Sequence, residues 1–270
     1  MEKSSKIIVF GGNGLLGSAT CKVLKEKGFQ NIIKPRSSEV NLLDRIQTEE
    51  FLNKEKPEYI FMLAGLVGGI LGNKTRPADF LYQNSMMILN LLEGIKNYSS
   101  KTKLLYVGSS CIYPKENPQP INEDRFMCGK LEETNKGYAV AKGMGIVACQ
   151  LYREQYGIDT ICAMPTNLYG PNDNYHLENS HVIPALIRKI HQAKIDNRKN
   201  VTLWGTGRPK REFLYSDDMA DACVFIMEKY NAEDLDEVIN IGTGVDITIH
   251  DVALIISEIV GFEGDIVYDR

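Results

Sequence analysis

No two of the six cysteines, at positions 21, 111, 128, 149, 162 and 223, are spaced as C-x-x-C. That argues against a zinc site or a disulfide framework, so reduced thiols, most of them core filler, and no metal are expected. No run of some 18 apolar residues occurs, and the opening Met1-Glu2-Lys3-Ser4-Ser5 lacks the apolar centre of a signal peptide. A cytoplasmic protein with no membrane partner is therefore expected. Positive charge is not in excess: the formal net charge is −4 and the isoelectric point is near 5.7. There is no global field for nucleic acid, and an anionic ligand must be held by local cations. Internal repeats and low-complexity segments are absent too.

What is present is a soluble-type composition, 43% apolar and 24% charged over 270 residues, long enough for a large core. One intertwined α/β unit with a smaller second lobe is expected. Near the start, the apolar run Lys6-Ile7-Ile8-Val9-Phe10 leads into Gly11-Gly12-Asn13-Gly14-Leu15-Leu16-Gly17 and then a helical stretch to Lys27. Strand, glycine turn and helix in that order aim backbone N–H groups at one point, where a pyrophosphate can sit if no side chain blocks it. The spacing Gly11, Gly14, Gly17 is G-x-x-G-x-x-G, more typical of short-chain dehydrogenases than G-x-G-x-x-G.

Farther along, Ile32-Ile33, Tyr59 to Ala64, Lys103 to Gly108 and Thr160 to Met164 read as strands, and Thr48 to Asn53, Ala78 to Lys96 and Tyr138 to Tyr156 as helices. Such alternation predicts a Rossmann-type α/β fold, a doubly wound parallel sheet. From Tyr169 the pattern changes to a polar loop before a helix at Ile183 to Ala193. Arg211 to Tyr215 and Val238 to Gly242 look like returns to the sheet edge. The expected division is residues 1–167 with 213–243 as the nucleotide-binding domain and 168–212 with 244–270 as a discontinuous C-terminal substrate lobe.

Ligands in an open parallel sheet bind beyond the carboxyl ends of its strands, and Ala64-Gly65, Ser109 with Cys111, and Asn167 all fall at such ends. Tyr138-x-x-x-Lys142 opens the next helix. With 13 tyrosines and 31 lysines and arginines, about 1.5 such pairs arise by chance, so position carries the argument. Tyr138 alone among the tyrosines has a Lys or Arg four residues on, and one helical turn places both side chains on one face. A phenol near its free pKa of ~10 must fall toward ~7 to exchange protons efficiently. A lysine ammonium and a nicotinamide could supply that.

Gly108-Ser109-Ser110-Cys111-Ile112-Tyr113-Pro114-Lys115, Met164-Pro165-Thr166-Asn167-Leu168-Tyr169-Gly170-Pro171, Asn179-Ser180-His181-Val182-Ile183-Pro184-Ala185-Leu186, and Trp204-Gly205-Thr206-Gly207 with Arg211-Glu212-Phe213 resemble the GDP-L-fucose synthase family of extended short-chain dehydrogenases. The resemblance runs from the first strand to the last residues. It implies conversion of GDP-4-keto-6-deoxy-D-mannose to GDP-L-fucose, by epimerisation at C3 and C5 and reduction at C4 with NADPH. It further implies Ser109, Tyr138 and Lys142 as the reductase triad and Cys111 and His181 as the acid/base pair. Cofactor contacts are implied at Gly11, Gly14, Leu15, Leu16, Gly17, Arg36, Asp44, Ala64, Lys142, Pro165, Asn167, Leu168 and His181. Substrate contacts are implied at Ser109, Ser110, Asn167, Val182, Trp204 and Arg211. A homodimer through the helices at 78–96 and 138–156 is also implied, as is a further segment in which a lysine meets the substrate phosphate. The resemblance leaves open a reductase or epimerase of another GDP-4-keto sugar such as a heptose, and a catalytically silent dinucleotide-binding regulator.

Chemistry fits these roles: C3 and C5 both flank the C4 ketone, so one enolate-stabilising site can serve both steps. Cys111, with an ordinary thiol pKa of ~8.5, needs positive surroundings from Lys142, the nicotinamide or His181. For the cofactor, Ile33-Lys34-Pro35-Arg36-Ser37 offers cations and a hydroxyl where an NAD enzyme usually places an acid. NADP(H) is expected, with Arg36 carrying more of the discrimination because Asn13 stands where some relatives have arginine.

Overall fold

The computed structural model describes residues 1–177 and 180–269. Asn179, in one of the motifs above, and Arg270, the end of the expected lobe, lie outside the described residues. In chain order the elements are β1 (Ile7–Phe10), α1 (Leu15–Glu26), β2 (Ile32–Ile33), α2 (Arg45–Glu55), β3 (Tyr59–Met62), α3 (Ile70–Thr75), α4 (Pro77–Tyr98), β4 (Lys103–Val107), α5 (Lys136–Tyr156), β5 (Thr160–Pro165), β6 (Asn167–Tyr169), α6 (Val182–Ile195), β7 (Asn200–Trp204), β8 (Lys210–Tyr215), α7 (Ser216–Lys229), β9 (Ile239–Ile241), β10 (Asp246–Thr248), α8 (Ile249–Val260) and β11 (Asp265–Asp269). Expected strands and helices are all present, with ends moved by a few residues.

β1 shows why the sheet is covered twice. All four of its residues are buried, and because successive side chains point to opposite faces, each face needs its own cover. Ile8 and Phe10 join Leu52 of α2, Ile88 and Leu91 of α4 and Ile146 and Cys149 of α5 in one core. Ile7 and Val9 join Leu24 of α1 and Met219 and Cys223 of α7 in another. The six strands are parallel in the order β2-β1-β3-β4-β5-β9. The chain leaves β1 toward β2 and later returns to its other side with β3, which makes the β1/β3 crevice the topological switch point.

α4 illustrates how the sequence sets the packing. Phe80, Ile88, Leu91, Leu92 and Ile95 recur at helical spacing and are fully or almost fully buried, each Leu or Ile contributing roughly 1.5–3 kcal/mol. Two asparagines interrupt that stripe, and both are satisfied. Asn90 Nδ2 donates to the Leu42 carbonyl at 2.9 Å, and Asn84 grips the loop after β3, as described below.

A third core lies between α6, α8 and β7, built from Ile183, Leu186, Ile190, Val201, Leu203, Val252, Ala253, Ile256 and Phe262. β7 pairs in parallel with β11. The expectation for β8 needs correction: β9 takes the edge beside β5 as expected, but β8 lies in a separate sheet between β6 and β10. Its first half, Lys210-Arg211-Glu212, is charged, whereas strands of a doubly covered parallel sheet are apolar along their length. Among the described residues no helix is long and apolar enough to cross a membrane.

Candidate active site

Two glycines of the first turn are required by the chain itself. Gly11 has φ +80°, and a Cβ there would stand 2.8 Å from the Ala64 nitrogen; one on Gly17 would stand 2.0 Å from the Gly11 carbonyl oxygen. Gly14 is different. Its φ is −84° and a Cβ would meet nothing closer than 3.5 Å, so packing within the protein does not demand a glycine. What its missing side chain leaves open is the N-terminus of α1, which no side chain caps and whose first-turn N–H groups at Leu15, Leu16 and Gly17 lack intrahelical acceptors. The residues present thus fit a pyrophosphate.

Beside this turn, the Lys34 Cβ lies only 2.6 Å from where a Gly12 Cβ would be, which sets that lysine against the glycines. Arg36 is exposed, its backbone N–H held by Glu39 at 2.7 Å, and its guanidinium has no protein partner among the described residues. Asp44 caps α2: its carboxylate accepts from the Gln47 backbone at 3.1 Å and from Gln47 Nε2 at 2.8 Å.

The reactive side chains gather at the carboxyl end of β4, where the strand gives way to a single 3-10 turn, Ser110–Ile112. Ser109 precedes that turn, and its hydroxyl accepts from the Cys111 N–H at 3.5 Å. The same hydroxyl is near enough to both the Cys111 thiol and the Tyr138 phenol to favour their ionised forms. Ser110 is exposed. From α5, Tyr138 sets its ring edge-on to Phe80 with centroids 6.3 Å apart. Lys142 is buried, donates to the Val107 carbonyl at 2.8 Å, and stands 5.8 Å from the Tyr138 ring centroid.

Burial dominates the electrostatics of this cluster. It pushes Lys142 down to about 8, opposed by Cys111. Burial pushes the Cys111 thiol up, against the hydrogen bond from Ser109 and the charge of Lys142. The phenol of Tyr138 is raised by burial and by Cys111, with only Ser109 pulling it down. The expected descent of Tyr138 toward neutrality is therefore not a property of the protein groups alone. Lys142 lowers the Cys111 thiol, whereas at the Tyr138 phenol Ser109 alone opposes desolvation.

On the far side, Pro165 closes β5 in the buried interior while Asn167 and Leu168 begin β6. Asn167 Nδ2 donates to the Glu212 carbonyl at 2.9 Å. Glu212 in turn accepts the Gly244 N–H at 2.7 Å and the Thr243 hydroxyl at 3.3 Å. His181 sits at the N-cap of α6, next to half-buried Val182. It remains exposed to solvent, yet enough protein surrounds it that desolvation lowers its pKa, and Asp173 raises it. Among the described residues, no hydrogen bond joins His181 to Ser109, Cys111, Tyr138 or Lys142. Trp204, at the end of β7, is 65% exposed, and Arg211 is exposed on β8, its Nη1 donating to the Lys210 carbonyl at 2.7 Å.

Two residues in this neighbourhood escaped sequence reasoning. Lys189 on α6 places its ammonium 4.6 Å from the Trp204 ring centroid, a contact between segments 15 positions apart that no motif announces. Asn84 uses both ends of its amide on the loop after β3. Its Oδ1 accepts the Leu66 N–H at 2.9 Å, and Nδ2 donates to the Leu66 carbonyl at 3.1 Å and the Phe80 carbonyl at 2.8 Å. A polar residue inside an apolar helical stripe was the available signal.

The profile of the NAD dependent epimerase/dehydratase family matches residues 7–242. GDP-L-fucose synthase 1 of Arabidopsis thaliana is 48% identical over 268 residues, covering 99% of this chain and 82% of its own length. The GDP-L-fucose synthase of Escherichia coli K12 is 43% identical over 270 residues, 98% of this chain and 84% of that protein. Among solved structures, the GDP-mannoheptose C4 reductase of Campylobacter jejuni with NADP bound superposes with a TM-score of 0.90 at 33% identity, covering 100% of this chain and 89% of that one.

Proposed function

We propose that this chain, which belongs to the NAD dependent epimerase/dehydratase family, is an NADP-dependent nucleotide-sugar epimerase/reductase that converts GDP-4-keto-6-deoxy-D-mannose to GDP-L-fucose. The observation that carries the reading is the meeting of Ser109, Cys111, Tyr138 and Lys142 at the end of β4, in the same sheet whose β1/β3 switch point carries the glycine turn. Similarity to fucose synthases over nearly the whole chain supports the substrate.

NADPH, when bound, supplies the hydride for C4. The α1 N-terminus with Gly11, Gly14, Leu15, Leu16 and Gly17 would hold the pyrophosphate, Lys34 and Arg36 the 2′-phosphate, and Asp44, Ala64, Lys142, Pro165, Asn167, Leu168 and His181 the remainder of the cofactor. For epimerisation, Cys111 removes the proton from C3 or C5, the electron pair passes to the C4 oxygen, and Ser109 and Tyr138 hydrogen-bond the resulting enolate. His181 delivers a proton to the opposite face of the same carbon. In the reductive step Tyr138 gives its hydroxyl proton to the C4 alkoxide, and the nearby Lys142 ammonium stabilises the phenolate left behind. Ser110, Val182, Trp204, Arg211 and Asn167 would line the GDP-sugar, with Lys189 beside the Trp204 ring as an added cation for the diphosphate.

The division we propose is a cofactor domain of residues 1–167 and 213–243 and a substrate lobe of 168–212 and 244–270, with β8 (Lys210–Tyr215) straddling the boundary in the small sheet with β6 and β10. α4 and α5 lie side by side and leave Leu81, Tyr82, Val140 and Leu151 exposed, a face suited to a homodimer. A cytoplasmic location accords with six free thiols.

The test is NADPH oxidation with GDP-4-keto-6-deoxymannose, followed by product analysis in deuterated solvent. Label at C3 and C5 of a reduced product is expected, and Cys111→Ser should lose that label while still reducing a pre-epimerised substrate. No turnover of any GDP-4-keto sugar would sink the reading. Likeness to the mannoheptose C4 reductase favours one second reading, reduction of a GDP-4-keto-heptose, and the same product analysis separates the two.

A further inference from the structure

The hydroxyl of Tyr106 on β4 is buried with no hydrogen-bond partner among the described residues, although the residue is 1% exposed. A phenol in that state costs stability, so its ring must account for the residue. The Lys142 ammonium lies 5.0 Å from the Tyr106 ring centroid, nearer than its 5.8 Å to the Tyr138 ring. Gly145, one turn beyond Lys142 on the same face of α5, makes this approach possible. A Cβ there would stand 2.4 Å from the Tyr106 oxygen and 2.6 Å from Cζ, so any side chain at 145 would push the ring aside.

The groups around Lys142 are few. β4 presents Tyr106 and the Val107 carbonyl, at 2.8 Å; α5 presents Tyr138; the 3-10 turn presents Cys111. The loop after β3 presents Gly65, whose Cβ would be 3.8 Å from the ammonium, backed by the Asn84 amide of α4. None of these is a carboxylate. Burial pushes the Cys111 thiol up, against Ser109 and the charge of Lys142, and pushes the Tyr138 phenol up as well. Besides the opposing influence of Cys111, what offsets a desolvated cation is one carbonyl and two aromatic faces, of which Tyr106 is the nearer, and an aromatic quadrupole attracts charge most strongly where water is excluded.

We propose that Tyr106 is a positioning residue for Lys142: the face of its ring, admitted beneath α5 by Gly145, holds the lysine charged and in place beside Tyr138. This rests on the reading of Lys142 as a member of the reductase set. The hydroxyl has no part in it, so a phenylalanine serves equally well. Weakening the quadrupole releases the ammonium to the pull of burial, and its midpoint moves down from about 8.

The test replaces Tyr106 by phenylalanine, 3,5-difluorophenylalanine and 3,4,5-trifluorophenylalanine, which keep the ring's shape and hence the fold. Lys142 is titrated by NMR of 13Cε-labelled lysine, its resonance identified by its loss in Lys142→Met. In Tyr106→Phe the midpoint should stay where it was. Across the fluorinated series it should fall stepwise, by roughly one pH unit for three fluorines, and the alkaline limb of kcat should move down with it. A flat series, or a full drop already in Tyr106→Phe, would overturn the proposal. Because the NMR titration needs no turnover, absence of activity in the unaltered protein counts against the functional reading alone.

Discussion

A Cβ on Gly17 would lie 2.0 Å from the carbonyl oxygen of Gly11, inside any contact that real atoms make. The backbones of these two glycines pack too closely for a side chain on Gly17, while Gly14 between them joins the turn through its backbone alone, its N–H donating to the Gly11 carbonyl at 2.9 Å, and has room for a side chain.

That contrast separates folding from binding. Gly17→Ala should destabilise the protein by roughly 3 kcal/mol through overpacking against backbone. Gly14→Ala should change stability by less than about 1 kcal/mol and weaken NADPH roughly tenfold or more, about 1.4 kcal/mol. Thermal denaturation and NADPH fluorescence titration measure the two, and equal effects on both quantities would refute the distinction.

Lys142 makes a prediction about pH. Its midpoint of about 8 in the folded protein lies below the ~10.4 of a free lysine, so between these values the unfolded chain binds more protons. Stability from this residue therefore rises as pH increases from about 8 to about 10.4, by up to roughly 3 kcal/mol, and is lost again on return to neutrality. Denaturant midpoints of the unaltered protein and Lys142→Met should converge over that window. A constant difference between them would contradict the depressed midpoint.

Arg36 offers a guanidinium that has no partner among the described residues, near the expected 2′-phosphate. Arg36→Ala should weaken NADPH about 10- to 100-fold, some 1.4–2.7 kcal/mol, and NADH by less than about threefold. Losses of similar size for both cofactors would place the discrimination elsewhere.

Lys189 stands over an exposed Trp204 ring. Lys189→Ala should raise KM for the GDP-sugar about tenfold and leave kcat within about twofold, the pattern of a group bound equally in ground and transition states. A fall in kcat at constant KM would give Lys189 a different role.

Much of the fold could be read from the chain because Rossmann strands carry their instructions locally. Ile7 to Phe10 is apolar throughout, so it lies between two helical layers, and the glycines follow it at once. Tyr138 and Lys142 were found because helical spacing turns four residues into one turn. The place of β8 is not legible in the same way, because its pairing depends on β6 and β10, partners distant in sequence, and only its charged first half marks it as unlike a strand of the large sheet. The grip of Asn84 on Leu66 and the contact of Lys189 with Trp204 exist only after helices meet loops and strands. Nor does sequence report desolvation, the largest influence on Tyr138, Cys111 and Lys142.

Glu212 ties three pieces of chain at one point: its carbonyl takes the Asn167 amide, its carboxylate takes Gly244 and Thr243, and its own strand stands between β6 and β10. Asn167 lies where the chain leaves the large sheet after β5, and residues 243–244 where it leaves again after β9. The two exits are thereby latched together, and any tilt of β8 must swing the Asn167 amide and the second exit as one lever.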